Sequence, residues 1–196
     1  QLRGELTGGQ YLYGEPQIAR SSNYTSVLNG QSLNFLENSQ AQFSTDFTKY
    51  TGAAGAVTLS NPAGSAAVTG YYSQGNGDNN AEVTQYGAVG HVELGNPAHP
   101  VVIAGHAAKG EVTRPGMLTE ETTVLQAGIH APIGDSPFSV GAHVGMRDTA
   151  NGLGQPMDTK TVSGGIDARW QVSDRFALTA FADRSQTTFD SNPYPQ

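Results

Sequence analysis

The sequence has no cysteine, which excludes disulfides, thiolate metal sites and a cysteine nucleophile. Charge is scarce as well. Charged residues make up 14% of the chain, and 10 Lys or Arg against 17 Asp or Glu give a formal net charge of -7. A chain with this balance lacks the basic surface with which proteins bind phosphate backbones, so we predict no nucleic-acid partner.

Long apolar runs are also missing. No stretch approaches the roughly 18 residues of a transmembrane helix, and the N-terminal residues lack the charged-then-apolar order of a signal peptide. Glycine is abundant, with 25 residues, while hydrophobic residues make up 37% of the 196. This composition fits neither a disordered chain nor an apolar helical bundle, and it is typical of an all-β protein. The length allows one domain with a sizeable core or one closed barrel.

From Thr51 onward, segments of alternating apolar and polar residues are separated by connections of two kinds. The short ones contain residues that favour tight turns: Asn61–Gly64, Gly95–Pro97, Gly134–Pro137 and Ser173–Arg175. Longer polar connections lie at 73–81, 109–121 and 147–159. The pattern therefore predicts eight strands, at 51–60, 65–73, 82–94, 101–112, 122–133, 138–147, 160–172 and 176–188.

Short and long connections alternate along the chain, which places all short turns of an up-and-down meander at one end and all long loops at the other. We call these the turn end and the loop end. Eight antiparallel strands can close on themselves and remove both sheet edges. The predicted fold is an all-β, up-and-down antiparallel β-barrel of about eight strands, within a range of eight to ten. A β-sandwich is the alternative, but its Greek-key crossings would break the regular alternation of loop length.

The N-terminal segment, residues 1–50, is less regular than the barrel region at 51–188 and the tail at 189–196. Gln1–Gly14 has the pattern of one strand or a small hairpin. The apolar residues Leu33, Leu36, Phe43 and Phe47 fit a helix stripe as well as a strand, because period alone does not separate the two. We expect this segment to form an extra strand, a cap or a clamp beside the barrel.

A period of two divides every strand into two sets of side chains. The apolar set includes Tyr86, Val92, Ile103, Leu125, Ile129, Phe138, Val144, Ile166, Trp170, Phe176 and Leu178. The polar set includes His91, Glu93, His106, Gln126, His130, His143, Arg147, Asp167, Arg169 and Asp183, interleaved with glycines. A soluble barrel places the apolar set inside, whereas an outer-membrane barrel places it outside.

This pattern resembles the small outer-membrane β-barrel proteins of Gram-negative bacteria, over roughly residues 51–188. The resemblance is architectural and carries no family signature. It implies insertion in the outer membrane, turns facing the periplasm and loops facing outside. It also implies aromatic girdles, which Phe138, Trp170 and Phe176 would supply near the turn end, with Tyr72 and Tyr86 near the other.

The resemblance further implies that both termini lie on the periplasmic side. The eight predicted strands instead leave both termini at the loop end. Taking Leu2–Tyr13 as an additional first strand moves the N-terminus to the turn end, and a closing strand is then needed after Gln196. Two expectations stay open, a chain that is part of a longer protein and a soluble barrel.

Four histidines, His91, His106, His130 and His143, fall on the polar face of four successive strands. Imidazoles in such an arrangement can hold a metal or ligate haem. Without a tight motif such as His-Glu-x-x-His, the favoured interpretation is that they are polar lumen or surface residues hydrogen-bonded to Asp, Glu and backbone groups. The identity of any metal is left open.

The charged members of the polar set are interpreted as a lumen ion-pair network rather than as acid–base pairs: Glu93, Arg147, Asp167, Arg169 and Asp183. No nucleophile elbow, phosphate loop or dinucleotide fingerprint occurs in the sequence, so we predict no enzymatic activity and no cofactor.

Three functions remain open. The first is an outer-membrane or cell-surface barrel that contacts the bilayer, or a surface partner, and acts through the loops at 73–81, 109–121 and 147–159. Its role would be adhesion, partner binding or envelope integrity, with at most a narrow pore. The second is a soluble secreted barrel that binds a small ligand such as haem, and a metal or haem is expected only there. The third is a surface-fibre subunit that uses Gln1–Gly14 for strand addition.

Overall fold

A computed structural model describes residues 2–12, 47–77, 80–96, 100–173 and 176–191. These residues form one antiparallel sheet of nine strands, paired in chain order from β1 to β9. The strands are β1 Leu2–Leu12, β2 Phe47–Asn61, β3 Gly64–Gly77, β4 Glu82–Leu94, β5 Val101–Thr113, β6 Glu120–Pro132, β7 Phe138–Ala150, β8 Met157–Ser173 and β9 Phe176–Ser191. The predicted all-β, up-and-down antiparallel architecture is confirmed, with a strand count inside the expected range.

The two outer strands of the sheet are β1 and β9. Across the ranges that the structure covers, no backbone hydrogen bonds join these two edges, so the sheet is not closed by hydrogen bonding. The segment predicted as an additional first strand forms β1, which pairs with β2 from Leu2 opposite Leu59 to Leu12 opposite Lys49. The helix stripe considered at Leu33, Leu36 and Phe43 lies outside the described residues, and Phe47 begins β2.

The strands reach further towards the loop end than their sequence patterns predict. β3 continues to Gly77, β5 to Thr113 and β7 to Ala150, so the connections shrink to 78–81, 114–119 and 151–156. A hydroxyl pair supports the added part of β7, since the Thr122 and Thr149 hydroxyl oxygens lie 3.2 Å apart. Polar residues that read as loop therefore continue the sheet.

The predicted turns Asn61–Gly64 and Gly134–Pro137 connect strands at the turn end, with a two-residue link at 62–63. The predicted turns Gly95–Pro97 and Ser173–Arg175 lie partly outside the described residues. At the β6–β7 turn, Gly134 has a φ of +57°, which glycine adopts at little cost, and the Ile133 amide donates to the Phe138 carbonyl at 2.9 Å. The structure thus confirms the separation into a turn end and a loop end.

The two faces of the sheet differ sharply in exposure. Polar side chains of the inner face are buried, among them Gln85 at 6%, His91 at 4% and Thr122 at 1% exposed. Apolar side chains of the outer face are exposed, for example Val144 at 62% and Ile166 at 64%. The buried side chains of β3 to β7 therefore lie on the face that carries the polar set, where Val83, Val102 and Val112 are also buried, whereas Phe181 and Phe189 on the inner face of β9 are exposed. Exposure of the apolar set is the reverse of an ordinary soluble β-protein.

The exposed apolar side chains form a band across the outer face, which Arg184 on β9 interrupts at the level of Gly164. On β7 the band runs from Phe138 to Met146, and on β8 from Val162 to Val172. One step further towards the loop end, the same face carries Lys109, Thr123, Asp148 and Lys160 in a single register row. The described residues contain no helix of the length and hydropathy needed to cross a membrane.

Candidate functional site

The inner face of β4 to β9 is organised in rows of directly paired residues. Row 1 contains Glu93, Val102, His130, Gly141 and Asp167. Row 2 contains His91, Ala104, Gly128, His143, Gly165 and Asp183, and row 3 contains Val89, His106, Gln126, Gly145 and Ser163. Neighbouring rows are about 6.6 Å apart along a strand, because they differ by two residues. The four histidines are thus distributed over three levels of the inner face.

Row 1 brings together two side chains from strands that are not neighbours. His130 on β6 and Asp167 on β8 both pair with Gly141 on β7, and His130 Nδ1 lies 3.5 Å from Asp167 Oδ2. A Cβ on Gly141 would collide with the Asp167 carboxylate. Because Gly141 has no side chain, His130 and Asp167 can contact each other across β7. The other ring nitrogen of His130 is hydrogen-bonded to the Ser139 hydroxyl at 2.8 Å.

Row 2 repeats this arrangement one strand further along. His143 on β7 and Asp183 on β9 both pair with Gly165 on β8, and His143 Nε2 lies 3.2 Å from Asp183 Oδ1. A Cβ on Gly165 would collide with the Asp183 carboxylate and crowd the His143 ring. Two histidine–aspartate pairs are therefore built by the same device.

The same use of glycine is seen nearer the loop end. The Tyr71 hydroxyl on β3 and His106 Nε2 on β5 are hydrogen-bonded at 2.9 Å, and their rings are stacked with centroids 6.1 Å apart. The hydroxyl reaches across Gly87 on β4, at 2.6 Å from where a Cβ would stand. Gln126 and Ser163 are likewise the two strand partners of Gly145, and a Cβ on Gly145 would be 2.9 Å from Ser163 Oγ and 3.2 Å from Gln126 Cγ. The inner glycines are places where side chains cross a strand.

The structure places all four predicted histidines on the inner face, in three kinds of environment. His106 is bonded to Tyr71, while His130 and His143 contact Asp167 and Asp183. His91 is 4% exposed and stands beside Glu93, whose carboxylate accepts a hydrogen bond from the Ser65 hydroxyl at 2.8 Å. Within the described part of the chain, no three His, Asp or Glu side chains converge as a metal site would require.

The predicted lumen charges share the inner face and are arranged as separate pairs rather than as one cluster. The two aspartates contact histidines, as above. The Arg169 guanidinium donates to the Gln171 amide oxygen at 3.0 Å, and Arg147 interacts electrostatically with Glu120. Each of these charged side chains therefore has a polar or charged neighbour on the inner face.

A buried carboxylate at the loop end was missed by sequence reasoning. Glu120 is 4% exposed and accepts a hydrogen bond from the Leu153 amide at 2.8 Å, with the Arg114 guanidinium 3.6 Å away. Its inward position could have been predicted from the period of two, because Glu120, Thr122 and Val124 are alternate residues of β6 and share one face. The prediction of a long loop at 109–121 concealed that parity, because it ended the strand pattern at Thr122.

Glu120 anchors two loops to one another. The Leu118 amide donates to the Gly154 carbonyl at 3.2 Å, and the Asn151 side-chain amide donates to the Thr119 carbonyl at 2.9 Å. Asn151 and Leu153 adopt left-handed backbone conformations, with φ values of 52° and 57°, which are rare for residues other than glycine. The hydrogen bonds hold this backbone, so loops 114–119 and 151–156 form one ordered unit.

Three large apolar side chains project from these two loops into solvent. Met117, Leu118 and Leu153 are between 48% and 58% exposed. We call them the loop patch. An exposed apolar cluster on ordered backbone is a common feature of protein-binding surfaces.

The outer face beyond the apolar band carries an ion-pair cluster. Lys109 Nζ lies 2.9 Å from Glu121 Oε2 and 3.2 Å from Glu111 Oε1. Hydrogen bonds to these two carboxylates raise the pKa of Lys109 to about 12. Towards the loop end, the outer face therefore changes from the apolar band to charged side chains in the next register row, which contains Lys109.

Comparison with known proteins identifies no relative. No protein-family profile matches the chain, and neither a curated protein nor a solved structure shows significant similarity to it.

Proposed function

We propose that this chain is an outer-membrane β-barrel of a Gram-negative bacterium that binds a partner through its loop end, in adhesion or envelope integrity, without catalytic activity of its own. The observation that carries the proposal is the reversed distribution of side chains, with polar groups buried and apolar groups exposed on the same sheet. In water, such an outer face would expose a contiguous apolar surface far larger than soluble monomers tolerate. In a bilayer the same face contacts lipid.

The dimensions of the apolar band support the proposal. Val162 and Val172 end the band on β8, ten residues apart. That spacing corresponds to about 33 Å along the strand, and at the tilt of about 40° usual in membrane barrels it spans about 25 Å. This is the height of the lipid-facing band in outer-membrane barrels.

Aromatic side chains at both margins add to this support. At the turn end, Phe138 and Trp170 are stacked with ring centroids 5.7 Å apart, and both are exposed. Near the loop end, Tyr72 and Tyr86 are cross-strand partners on the same outer face. Aromatic rings favour the polar–apolar boundary of a bilayer because one edge is apolar and the other polar.

The packing of the inner face argues against bulk transport. Side chains extend over glycines in three successive rows. The inner-face side chains of β4, β5 and β6 are almost fully buried. A lumen filled in this way leaves at most a narrow pore. We therefore assign the activity to the loop end, where the loop patch stands on ordered backbone.

A matched pair of substitutions on β6 tests the membrane placement. Ile129 lies on the outer face within the apolar band, and Thr123 lies on the same face of the same strand beyond it. Ile129→Arg should cost roughly 2–4 kcal/mol of folding free energy in a bilayer, against about 0–1 kcal/mol for Thr123→Arg. Urea unfolding in lipid vesicles measures both, and membrane fractionation of the expressed protein shows where each variant resides.

The contrary result is also clear. Ile129 is already 45% exposed, so a protein that lives in water would tolerate Ile129→Arg about as well as Thr123→Arg. Equal stability of the two variants, with the protein in the aqueous fraction, would reject the proposal.

The loop patch is tested separately. We expect Leu153→Ser with Leu118→Ser to abolish attachment of cells displaying the protein to host or neighbouring cells, while fractionation and unfolding stay unchanged. The control is Leu59→Ser, a substitution of the same type at an exposed turn-end position on the outer face. Loss of attachment in the control alone would place the activity elsewhere.

A further inference from the structure

Three side chains from three neighbouring strands form a connected series at the turn end of the inner face: Ser139 on β7, His130 on β6 and Asp167 on β8. The Ser139 hydroxyl lies 2.8 Å from His130 Nε2, and His130 Nδ1 lies 3.5 Å from Asp167 Oδ2. Acyl-transfer enzymes connect a serine, a histidine and a carboxylate in this way, with the three residues in different chain orders on different folds. No sequence motif marks the series, because each member belongs to a different strand.

The carboxylate determines which nitrogen of the histidine carries the ring proton. An ionised carboxylate only accepts hydrogen bonds, so His130 Nδ1, which faces Asp167, is the protonated nitrogen. Nε2 is then unprotonated, and the Ser139 hydroxyl donates its hydrogen to it. His130 is therefore placed as a general base for Ser139, and Asp167 is the positioning residue of the imidazole.

Ser139 stands at the turn-end opening of the inner face. It is the second residue of β7, and the one residue of the strand beyond it, Phe138, belongs to the outer face. Ser139 is half-buried, whereas His130 is buried. A reagent that enters from the turn end can therefore reach the serine, while the imidazole beside it is shielded from water.

The sheet around Ser139 does not supply a backbone oxyanion site. Acyl-transfer enzymes stabilise the tetrahedral intermediate with N–H donors that point at its oxyanion, and loss of one donor slows the reaction about 10²–10³-fold. In the ladder of β6, β7 and β8, the backbone amides lie in the plane of the sheet and bond to the neighbouring strands. The described residues around Ser139 thus provide a nucleophile and a base without backbone donors that face the inner side.

We propose that Ser139 is an activated nucleophile that is acylated once by a carboxylic ester with a good leaving group. The Ser139 oxygen attacks the carbonyl carbon of the ester while His130 Nε2 takes the hydroxyl proton. The bond from that carbon to the leaving oxygen then breaks, and the leaving oxygen takes the proton from His130. The products are an acyl group in ester linkage to Ser139 and the free alcohol or phenol.

The acyl group stays on the serine once it is attached. The new bond is an alkyl ester with a poor leaving group, and water would have to attack it without an oxyanion site to assist. Ser139 is therefore a modification site rather than a centre of turnover, which agrees with a protein that has no catalytic activity of its own. The site goes beyond the proposed function and does not depend on membrane placement, because all three contacts lie within the sheet.

An aryl acetate tests the inference with the full chain, in membranes of expressing cells and in detergent micelles. We expect p-nitrophenyl acetate to release about one equivalent of nitrophenolate per chain in a burst, with the acetyl group found on Ser139 by peptide mass spectrometry. Ser139→Ala should abolish the burst. The matched control is Ser136→Ala in the neighbouring turn, where the hydroxyl donates to the Ile133 carbonyl. Urea unfolding of each variant shows that it is folded.

The base and its positioning residue are tested by their own variants. His130→Gln should slow acetylation of Ser139 by about 10²–10⁴-fold, the usual contribution of a general base. His106→Gln is the control, because His106 lies on the same face and is bonded to Tyr71. Asp167→Asn should also slow acetylation, and nitrogen NMR of the imidazole should show the ring proton moved from Nδ1 to Nε2. A purely structural role of Asp167 would leave the tautomer unchanged.

Ser139→Cys measures access to the position, since the chain has no cysteine of its own. We expect a maleimide to label this variant. Labelling of the cysteine without acetylation of Ser139 in the parent, or equal acetylation rates in the parent and His130→Gln, would overturn the inference. Absence of labelling would overturn it as well, because the site would be closed. Nitrophenolate release that depends on Ser139 and continues far beyond the burst would overturn the single acylation, and with it the absence of catalysis in the proposed function.

Discussion

His130 and Asp167 contact each other across a strand to which neither belongs. The 3.5 Å approach of His130 Nδ1 to Asp167 Oδ2 passes over Gly141, the direct backbone partner of both residues. His143 and Asp183 do the same over Gly165. The glycines of the inner face thus leave room for side-chain contacts between strands that the hydrogen-bond ladder does not join.

Adding one methyl group at Gly141 should break the first of these contacts. In Gly141→Ala the new Cβ takes the place of the Asp167 carboxylate, so we expect a loss of about 1–3 kcal/mol of unfolding free energy. Urea unfolding in detergent micelles measures it. The control is Gly70→Ala, because the nearest atom to a Cβ there is 4.0 Å away.

A double-mutant cycle shows whether this cost belongs to the contact. In an Asp167→Ala background the obstacle to the methyl group is gone, so Gly141→Ala should cost clearly less than in the parent protein. Equal costs in both backgrounds would mean that Gly141 is required for the backbone conformation and not for the histidine–aspartate contact.

Trp170 is the single tryptophan of the chain and reports on the turn-end margin of the apolar band. We expect its fluorescence in vesicles to be quenched more strongly by lipids brominated near the headgroup than by lipids brominated near the chain ends, because tryptophan favours the interface. Phe138→Ala should shift the emission and remove about 0.5–1.5 kcal/mol of ring-pair stabilisation. Quenching by aqueous acrylamide that is the same with and without lipid would contradict the placement.

The Lys109 cluster has a defined pH signature. The raised pKa, about 12 against an ordinary 10.5, means that the stabilisation is complete below pH 10.5 and is lost as the pH rises through 12. Glu121→Gln removes the first of its two hydrogen-bonded carboxylates and should lower the pKa of Lys109 towards 10.5, as read from the side-chain NMR shifts. Asp190→Asn, on β9, should leave it unchanged, and an unaltered pKa in Glu121→Gln would show that the pair does not persist.

Glu120 should control the order of the loop end. Replacing it in Glu120→Ala removes the acceptor for the Leu153 amide and the carboxylate beside Arg114. We expect hydrogen exchange at Leu153 to accelerate by at least tenfold, because the net value of a hydrogen bond to a charged group is about 1.5–3 kcal/mol. Glu111→Ala, at the same end but on the outer face, is the matched control and should leave that exchange rate unchanged.

The sequence by itself determined the strands, their order and the two faces. Alternation with a period of two is visible in any segment of β4 to β8, and turn residues such as Asn61 and Gly134 mark the connections between strands. Both features are local, so they need no knowledge of the tertiary fold. The strand ends at the loop end were placed too early, because threonine and acidic residues such as Thr113 and Glu120 read as loop.

The tertiary structure decided which face is buried and which side chains meet. An alternating sequence is compatible with a sheet that buries its polar face and with one that buries its apolar face. Only the arrangement of all nine strands together buries His91 and exposes Ile166. Contacts between strands that are two apart depend on the register of three strands at once and on a glycine in the middle one. That is why the sequence could align four histidines on one face but could not assign Asp167 to His130 or Asp183 to His143.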